Sequence, residues 1–156
     1  MSRSKKPSPS DIKNLTRSFL QCGDQLHTLC RLEVNDRLAK YDVKFSQWLI
    51  LDCLTRDDID SPSKVASHLG MERATVSRSL DILESRGLVG RTHNLTDRRV
   101  VEIEVTAQGR KIAQMGSQRL EQITLSATAD LSLNDISTVI SLLDSIKTSL
   151  NSKIGR

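Results

Sequence analysis

Two glycines divide the middle of the chain and limit what that region can form. Gly70 and Gly87 each follow a short segment whose apolar residues recur every three or four positions, as on one face of a helix. These apolar positions are Val65, Ala66 and Leu69 before the first glycine, and Val76, Leu80 and Leu83 before the second. Because glycine readily adopts the left-handed conformation that ends a helix, the pattern predicts two short helices, from about Ser63 to Leu69 and from about Glu72 to Arg86.

The segment after Gly87 has a different period and predicts a β-hairpin. Val101, Ile103 and Val105 alternate with glutamates, which is typical of a strand with one buried face. Leu88–Thr92 is predicted to be the partner of a strand over Val100–Val105, and a polar tip lies between them. Helix, turn, helix and hairpin in this order indicate a helix-turn-helix with a wing, and we use "wing" for residues 88–105.

Longer helices are predicted on both sides of this region. Apolar residues at helical spacing run from Asp11 to about Lys40, with Ser10 as the expected N-cap. Ser46 is the expected cap of the next helix, and Thr106 of a helix from Ala107 to about Ala127. A last helix follows Ser132, which has an acidic residue three positions on, as in a capping box.

The predicted fold is therefore mainly α (α+β), a winged helix-turn-helix with long N- and C-terminal dimerisation helices. The end helices are assigned to dimerisation because their apolar stripes have no evident partner inside a small winged domain. The predicted segments are a disordered basic arm over 1–10, an N-terminal dimerisation helix region over 11–45, the DNA-binding domain over 46–106 and C-terminal dimerisation helices over 107–156.

Positive charge is concentrated in the predicted winged domain. Of the net charge of +4, the segment Pro62–Val100 accounts for +3, with seven basic and four acidic residues. Six of the seven basic residues are arginines, whose guanidinium groups suit forked contacts to phosphates and bases. We therefore expect a nucleic-acid partner, with contacts from Lys64, Arg73, Ala74, Thr75, Ser77, Arg78, Arg91, Arg98 and Arg99.

The second short helix is predicted to enter the major groove, which is wide enough for one helix. If its apolar residues face the core, Arg78 points outward and is placed to fork onto guanine. Thr75 and Ser77 are then within reach of a base or a phosphate. At the wing, arginines are expected to approach the minor groove, whose negative potential attracts them.

Several motifs resemble the MarR family of bacterial regulators. The matching stretches are Phe45–Trp48, Val65–Gly70, Ala74–Arg78, Leu83–Val89, Asp97–Arg99 and Val105–Gly109. The resemblance implies a homodimer that binds a pseudo-palindromic site in double-stranded DNA and regulates transcription, as a ligand-responsive repressor. It also implies that Arg99 enters the minor groove and that Asp97 orients it.

The resemblance further implies a small aromatic or anionic effector, bound between the dimerisation helices and the winged lobe. The candidate pocket residues are Phe19, His27, Arg31 and Trp48. An alternative within the same fold is oxidant sensing through Cys22, although the tyrosines that accompany such a cysteine are represented only by Tyr41, well downstream. His27, Cys30 and Glu33 share a helix face but lack the usual zinc spacings, so we predict no metal and no cofactor.

Other classes of function are less consistent with the sequence. It contains no phosphate-binding glycine loop, nucleophile elbow or paired acid motif, so an enzyme is not expected. A dimeric interaction module that does not bind DNA would keep the apolar end helices but would not need arginines at a hairpin tip. No apolar run is long enough to span a membrane, and three cysteines in no paired motif predict a cytoplasmic protein.

Overall fold

The computed structural model describes residues 8–56, 59–93 and 101–154. Contacts divide the chain into two compact units, residues 1–120 and 121–156. In chain order the elements are α1 (Pro9–Leu38), a 3-10 turn (Ala39–Tyr41), α2 (Phe45–Arg56), α3 (Pro62–Leu69), α4 (Arg73–Ser85), β1 (Val89–His93), β2 (Val101–Val105), α5 (Ala107–Ala127) and α6 (Leu133–Ile154). The mainly helical winged fold predicted from the sequence is confirmed. No helix in these described ranges has the length and apolar character needed to cross a membrane.

The first unit is built around one apolar core. Its fully or almost fully buried side chains come from α1, α2, α3, α4, the start of the hairpin and α5: Val34, Leu38, Trp48, Ile50, Leu51, Val65, Val76, Leu80, Leu83, Leu88 and Ile112. All three positions predicted to form the buried face of α4 belong to this core. The core therefore fixes which face of α4 is left exposed.

The helix α1 begins two residues earlier than the sequence suggested. Its N-cap is Ser8, not Ser10: the Ser8 hydroxyl accepts a hydrogen bond from the Asp11 amide at 3.2 Å, and the Asp11 carboxylate accepts one from the Ser8 amide at 2.9 Å. Pro9 occupies the first helical position, which proline favours. The predicted arm over 1–10 is thus wrong at its end, because Pro9 and Ser10 are helical; residues 1–7 lie outside the described residues.

The start of α2 also differs from the prediction. The Lys44 carbonyl accepts from the amides of Gln47 and Trp48, both at 2.9 Å, and the Gln47 side chain accepts from the Lys44 amide at 2.9 Å. Ser46 is therefore inside the helix and is not its cap. A tertiary contact adds to this arrangement, since the Phe45 amide donates to the Asn35 side chain of α1 at 2.7 Å.

Both predicted glycine stops are confirmed. Gly70 has φ = 64° and Gly87 has φ = 66°, and a Cβ at either position would meet no atom within 4 Å. Glycine is therefore favoured there by backbone conformation and not by crowding. The first stop turns the chain from α3 into α4, and the second turns α4 into the wing.

The two strands pair antiparallel, with Val89 opposite Val105 and Arg91 opposite Ile103. The wing meets α5 at its base, where the Thr106 hydroxyl accepts from the Gly109 amide at 3.1 Å and donates to the Gly87 carbonyl at 2.8 Å. The predicted cap at Thr106 is confirmed. A side chain at Gly109 would collide with the Leu88 carbonyl, so glycine permits this close approach.

The second unit contains the end of α5 and all of α6. The predicted capping box is present: the Ser132 amide donates to the Asp135 carboxylate at 3.2 Å, and the Asp135 amide donates to the Ser132 hydroxyl at 3.2 Å. Most of the large apolar side chains of α6 are exposed, from 41% at Ile146 to 85% at Leu133, and Ile136 is half-buried.

Candidate nucleic-acid interface

The exposed face of α4 carries most of the residues predicted to contact DNA in its first two turns. Arg73, Ala74, Ser77 and Arg78 are exposed, and Thr75 is half-buried. On the opposite face Val76, Leu80 and Leu83 are fully buried. The face is thus basic, and its remaining side chains there are short, so a duplex is able to approach the helix closely.

Two further features bear on the charge near the recognition face. The helix α4 begins at Arg73, so the positive end of the helix dipole lies at that side chain, directly after the acidic N-cap residue Glu72. Lys64 lies exposed on α3 and forms an ion pair with Asp60 at 2.8 Å. That contact holds the pKa of the Asp60 carboxyl below its usual value. Because both partners are at least half exposed, the pair leaves Lys64 accessible to a polyanion.

The wing is described only at its base. Asp97, Arg98 and Arg99, which form the predicted tip, lie outside the described residues. Arg91 lies on β1 and is already paired: its Nη2 is 2.7 Å from Asp81 Oδ1, and its Nη1 is 3.4 Å from Glu84 Oε2. Both carboxylates belong to α4.

These pairings were not predicted from the sequence. The available signals were the spacing of Asp81 and Glu84, three residues apart on one helix, and the position of Arg91 two residues after the buried Val89. A second link was also missed, in which the Arg86 guanidinium donates to the backbone carbonyl and carboxylate of Asp42. Both links connect residues that periodicity alone does not bring together.

A cavity of about 410 Å³ lies between α1, α2 and the end of α3. It is lined by His27, Arg31, Asn35, Lys44, Phe45, Ser46, Leu49, Leu69 and Met71. Two of the four residues predicted to form an effector pocket, His27 and Arg31, are therefore at the cavity. The His27 ring packs edge-on against Phe45, with ring centroids 5.4 Å apart.

The other two predicted pocket residues lie elsewhere in the described part of the chain. Trp48 is buried in the core, where its Nε1 donates to the Ala113 carbonyl at 3.0 Å and its ring lies directly against Gly116. Phe19 lies on α1 and is 44% exposed. Trp48 does not line the cavity but packs behind Phe45, which does; the ring centroids of Trp48 and Phe45 are 5.4 Å apart.

The cysteines and the candidate zinc ligands do not form a common site. Cys22 is exposed, Cys30 is partly buried and Cys53 is buried. Glu33 is engaged by Arg119, whose Nε donates to its carboxylate at 3.0 Å. Within the described residues, no group of three or more histidine, cysteine or acidic side chains is arranged to hold a metal ion.

Comparison with known sequences identifies the winged region. The model of the MarR family matches residues 45–101. The HTH-type transcriptional repressor MdtR of Bacillus subtilis is 30% identical over 77 residues, which cover 49% of this chain and 50% of MdtR. The chain thus spans about half the length of the first curated relatives it matches. MdtR is named as a regulator, in agreement with the prediction that the chain is not an enzyme.

Solved structures extend the likeness in fold to most of the chain. The S. aureus MepR–DNA complex has a TM-score of 0.73 and 21% identity, covering 85% of this chain and 96% of MepR. CouR from Rhodococcus jostii bound to p-coumaroyl-CoA has a TM-score of 0.69 and 22% identity, covering 79% of this chain and 87% of CouR. Residues 45–101 of this chain are thus similar to the MarR family, and most of the chain shares the fold of these two solved structures.

Proposed function

We propose that this chain is a sequence-specific regulator of transcription that binds double-stranded DNA as a homodimer, at a pseudo-palindromic site. The observation that carries the proposal is the exposed face of α4, where Arg73 and Arg78 flank Ala74 and Ser77 above a fully buried apolar face. Its fold is similar to that of MepR, which was solved in complex with DNA. We further propose that the protein acts in the cytoplasm, where a bacterial regulator meets its DNA.

The side chains of this face suit different parts of a duplex. Arg78 lies in the second turn of α4 and has the planar fork that pairs with guanine in the major groove. Thr75 and Ser77 have hydroxyls short enough to contact bases or phosphates near the helix. Arg73 at the helix start and Lys64 on α3 suit phosphate contacts, which position the protein but do not specify sequence.

The wing tip is proposed to contact the minor groove. Residues 97–99 contribute one acidic and two basic side chains. We assign the groove contact to Arg99, its orientation to Asp97 and a phosphate contact to Arg98. Alanine at position 99 should weaken binding more than alanine at position 97, and alanine at position 98 should act mainly on the salt dependence of binding.

Selection of bound sequences from a random duplex library, followed by titration of variants, tests the proposal. We expect a pseudo-palindromic consensus to be enriched. Arg78→Ala should then lose about 1–3 kcal/mol at that consensus, and much less on unrelated DNA. Arg37→Ala, at an exposed arginine of α1, is the matched control and should bind like the parent. Failure to enrich any sequence would instead favour a dimeric interaction module without DNA.

Dimerisation through the chain's ends is proposed from two exposed apolar faces. On α1, Ile12, Leu15 and Leu29 are between 51% and 64% exposed, and on α6 Val139 and Leu143 are 55% and 45% exposed. Such faces are costly to leave in water and are typical of helices that pack against a second subunit. A repressor would act by occupying the site as a dimer and blocking transcription.

The cavity supports a second proposal, that an aromatic anion regulates DNA binding. His27, Arg31 and Lys44 supply cationic or polar groups, and Phe45, Leu49 and Met71 supply an apolar wall. CouR, of similar fold, was solved with p-coumaroyl-CoA. We expect p-coumarate to raise the melting temperature of the protein and its uncharged methyl ester to have little effect. Arg31→Ala should abolish the response to p-coumarate; an unchanged response would exclude this cavity.

A further inference from the structure

Arg91 faces the helix and not the solvent. In a strand, residues two positions apart point to the same side, so Arg91 shares the side of Val89, which is 2% exposed. Its cross-strand partner Ile103 is 6% exposed and faces the same way. The Arg91 side chain is 26% exposed. It therefore extends over the edge of the core towards α4.

The guanidinium group of Arg91 is used almost entirely within the protein. Nη2 donates to Asp81 at 2.7 Å, and Nη1 lies 3.4 Å from Glu84, one helical turn further along α4. Nε is excluded from solvent and has no hydrogen-bond partner among the described residues. A side chain that keeps a buried, unpaired N–H in order to hold two carboxylates is not free to extend to a phosphate.

We propose that Arg91 is a positioning residue, which sets the orientation of the wing relative to the recognition helix α4 through Asp81 and Glu84. The proposal rests on the proposed function, because its consequence is the fit of helix and wing to one duplex. It departs from the sequence-based expectation that Arg91 contacts DNA. The proposal also explains why two acidic residues, Asp81 and Glu84, lie on a helix that is proposed to face DNA. They hold the Arg91 guanidinium in place, and its positive charge offsets their negative charge.

The sign of one effect separates positioning from simple electrostatics. Asp81→Asn removes a negative charge near the proposed interface, which by charge alone strengthens DNA binding. If Asp81 anchors the wing through Arg91, the same substitution weakens specific binding, by about threefold to tenfold for a lost close pair. Glu84→Gln should act in the same direction but less, because its contact is longer.

The matched control is Glu104→Gln. Glu104 is exposed on β2 opposite Gly90. Its substitution by glutamine therefore removes one negative charge from the same wing and leaves the ion pairs of Arg91 intact. We expect this variant to bind specific DNA as tightly as the parent, or more tightly. Specific binding that is strengthened in Asp81→Asn and Glu104→Gln alike would overturn the proposal.

A double-mutant cycle completes the test, with Arg91→Met combined with Asp81→Asn and both titrated against specific DNA at several salt concentrations. If Arg91 acts through Asp81, the second substitution adds little to the first, and the salt slope is unchanged. A direct phosphate contact would instead give independent, additive effects, a loss from Arg91→Met and a gain from Asp81→Asn, and a salt slope reduced by about one in Arg91→Met. The free energies of urea unfolding are measured for the same cycle without DNA, and we expect the effects of the Arg91 and Asp81 substitutions to be coupled there too. A parent protein that binds no DNA therefore contradicts the proposed function, whereas additive unfolding energies contradict the Arg91 assignment.

Discussion

The helices α2 and α6 are both amphipathic, but they use their apolar side chains differently. In α2, Trp48, Ile50 and Leu51 are at most 1% exposed. In α6, Leu133, Leu142 and Leu150 are between 50% and 85% exposed. The first helix is stabilised by the core of its own unit, whereas the second presents apolar surface that no side chain in the described residues covers. An apolar stripe in a sequence thus predicts burial, but it does not say whether the same chain provides the cover.

The strongest test of this contrast is to make the α6 stripe charged. Leu143→Asp combined with Ile146→Asp should convert the proposed dimer into monomer or aggregate, because buried unpaired carboxylates are not tolerated in an apolar interface. Removing all residues after Asp130 should have the same result. Sedimentation velocity measures the outcome.

The control for the charged stripe is Thr148→Asp, which places one carboxylate on the far side of the same exposed helix. It should leave the oligomeric state unchanged. A Leu143→Asp/Ile146→Asp protein that sediments as a clean dimer would remove α6 from the interface and leave the comparison with α2 unexplained.

Two glycines allow a packed position and an exposed position to be compared by adding one methyl group at each. In Gly116→Ala the new Cβ would collide with the indole of Trp48, so we expect a loss of about 1–3 kcal/mol in the free energy of unfolding from overpacking. In Gly23→Ala, on the exposed part of α1, the Cβ meets no atom within 4 Å. Alanine there should stabilise the helix by about 0.5–1 kcal/mol. Urea unfolding of both variants measures the change in the free energy of unfolding, which should be a loss in Gly116→Ala and a gain in Gly23→Ala. Equal changes would mean that the packing around Trp48 is loose.

Local signals in the sequence were sufficient for much of the fold. Gly70 and Gly87 stop their helices because of backbone conformation, which does not depend on distant residues. The choice between Ser8 and Ser10 as the cap of α1 also depends on local chemistry. Ser8 has a carboxylate three residues on and is followed by proline, whereas Ser10 is followed at that spacing by Lys13, which has no acceptor.

The rest depended on contacts between distant residues. The partner of Trp48 is Gly116, on another helix, so its place in the core and not at the cavity follows only from the fold. Arg91 is of a residue type that often contacts DNA, but the orientation of its side chain depends on strand register and on two acidic residues of α4. Of the candidate interface, the face of α4 was predictable from its period, whereas the pairing at the base of the wing was not.

The smallest expected effect concerns the ends of the exposed helices, where local caps take the place of a core. The hydrogen bonds from the Ser132 hydroxyl and amide hold the pKa of Asp135 below its ordinary value of 3.8. A carboxyl whose pKa is lower in the folded than in the unfolded state stabilises the fold fully above the unfolded value, and that contribution is lost as the pH falls through the folded value. The start of α6 should therefore weaken only in acid, below pH of about 3.8. An NMR titration of the Asp135 carboxyl should show its midpoint rising towards the ordinary value in Ser132→Ala. Ser137→Ala, whose hydroxyl bonds to the Asn134 carbonyl and not to Asp135, should leave the midpoint where it is. If the parent and Ser132→Ala titrate together, the capping box does not hold in solution, and α6 depends on its apolar face alone.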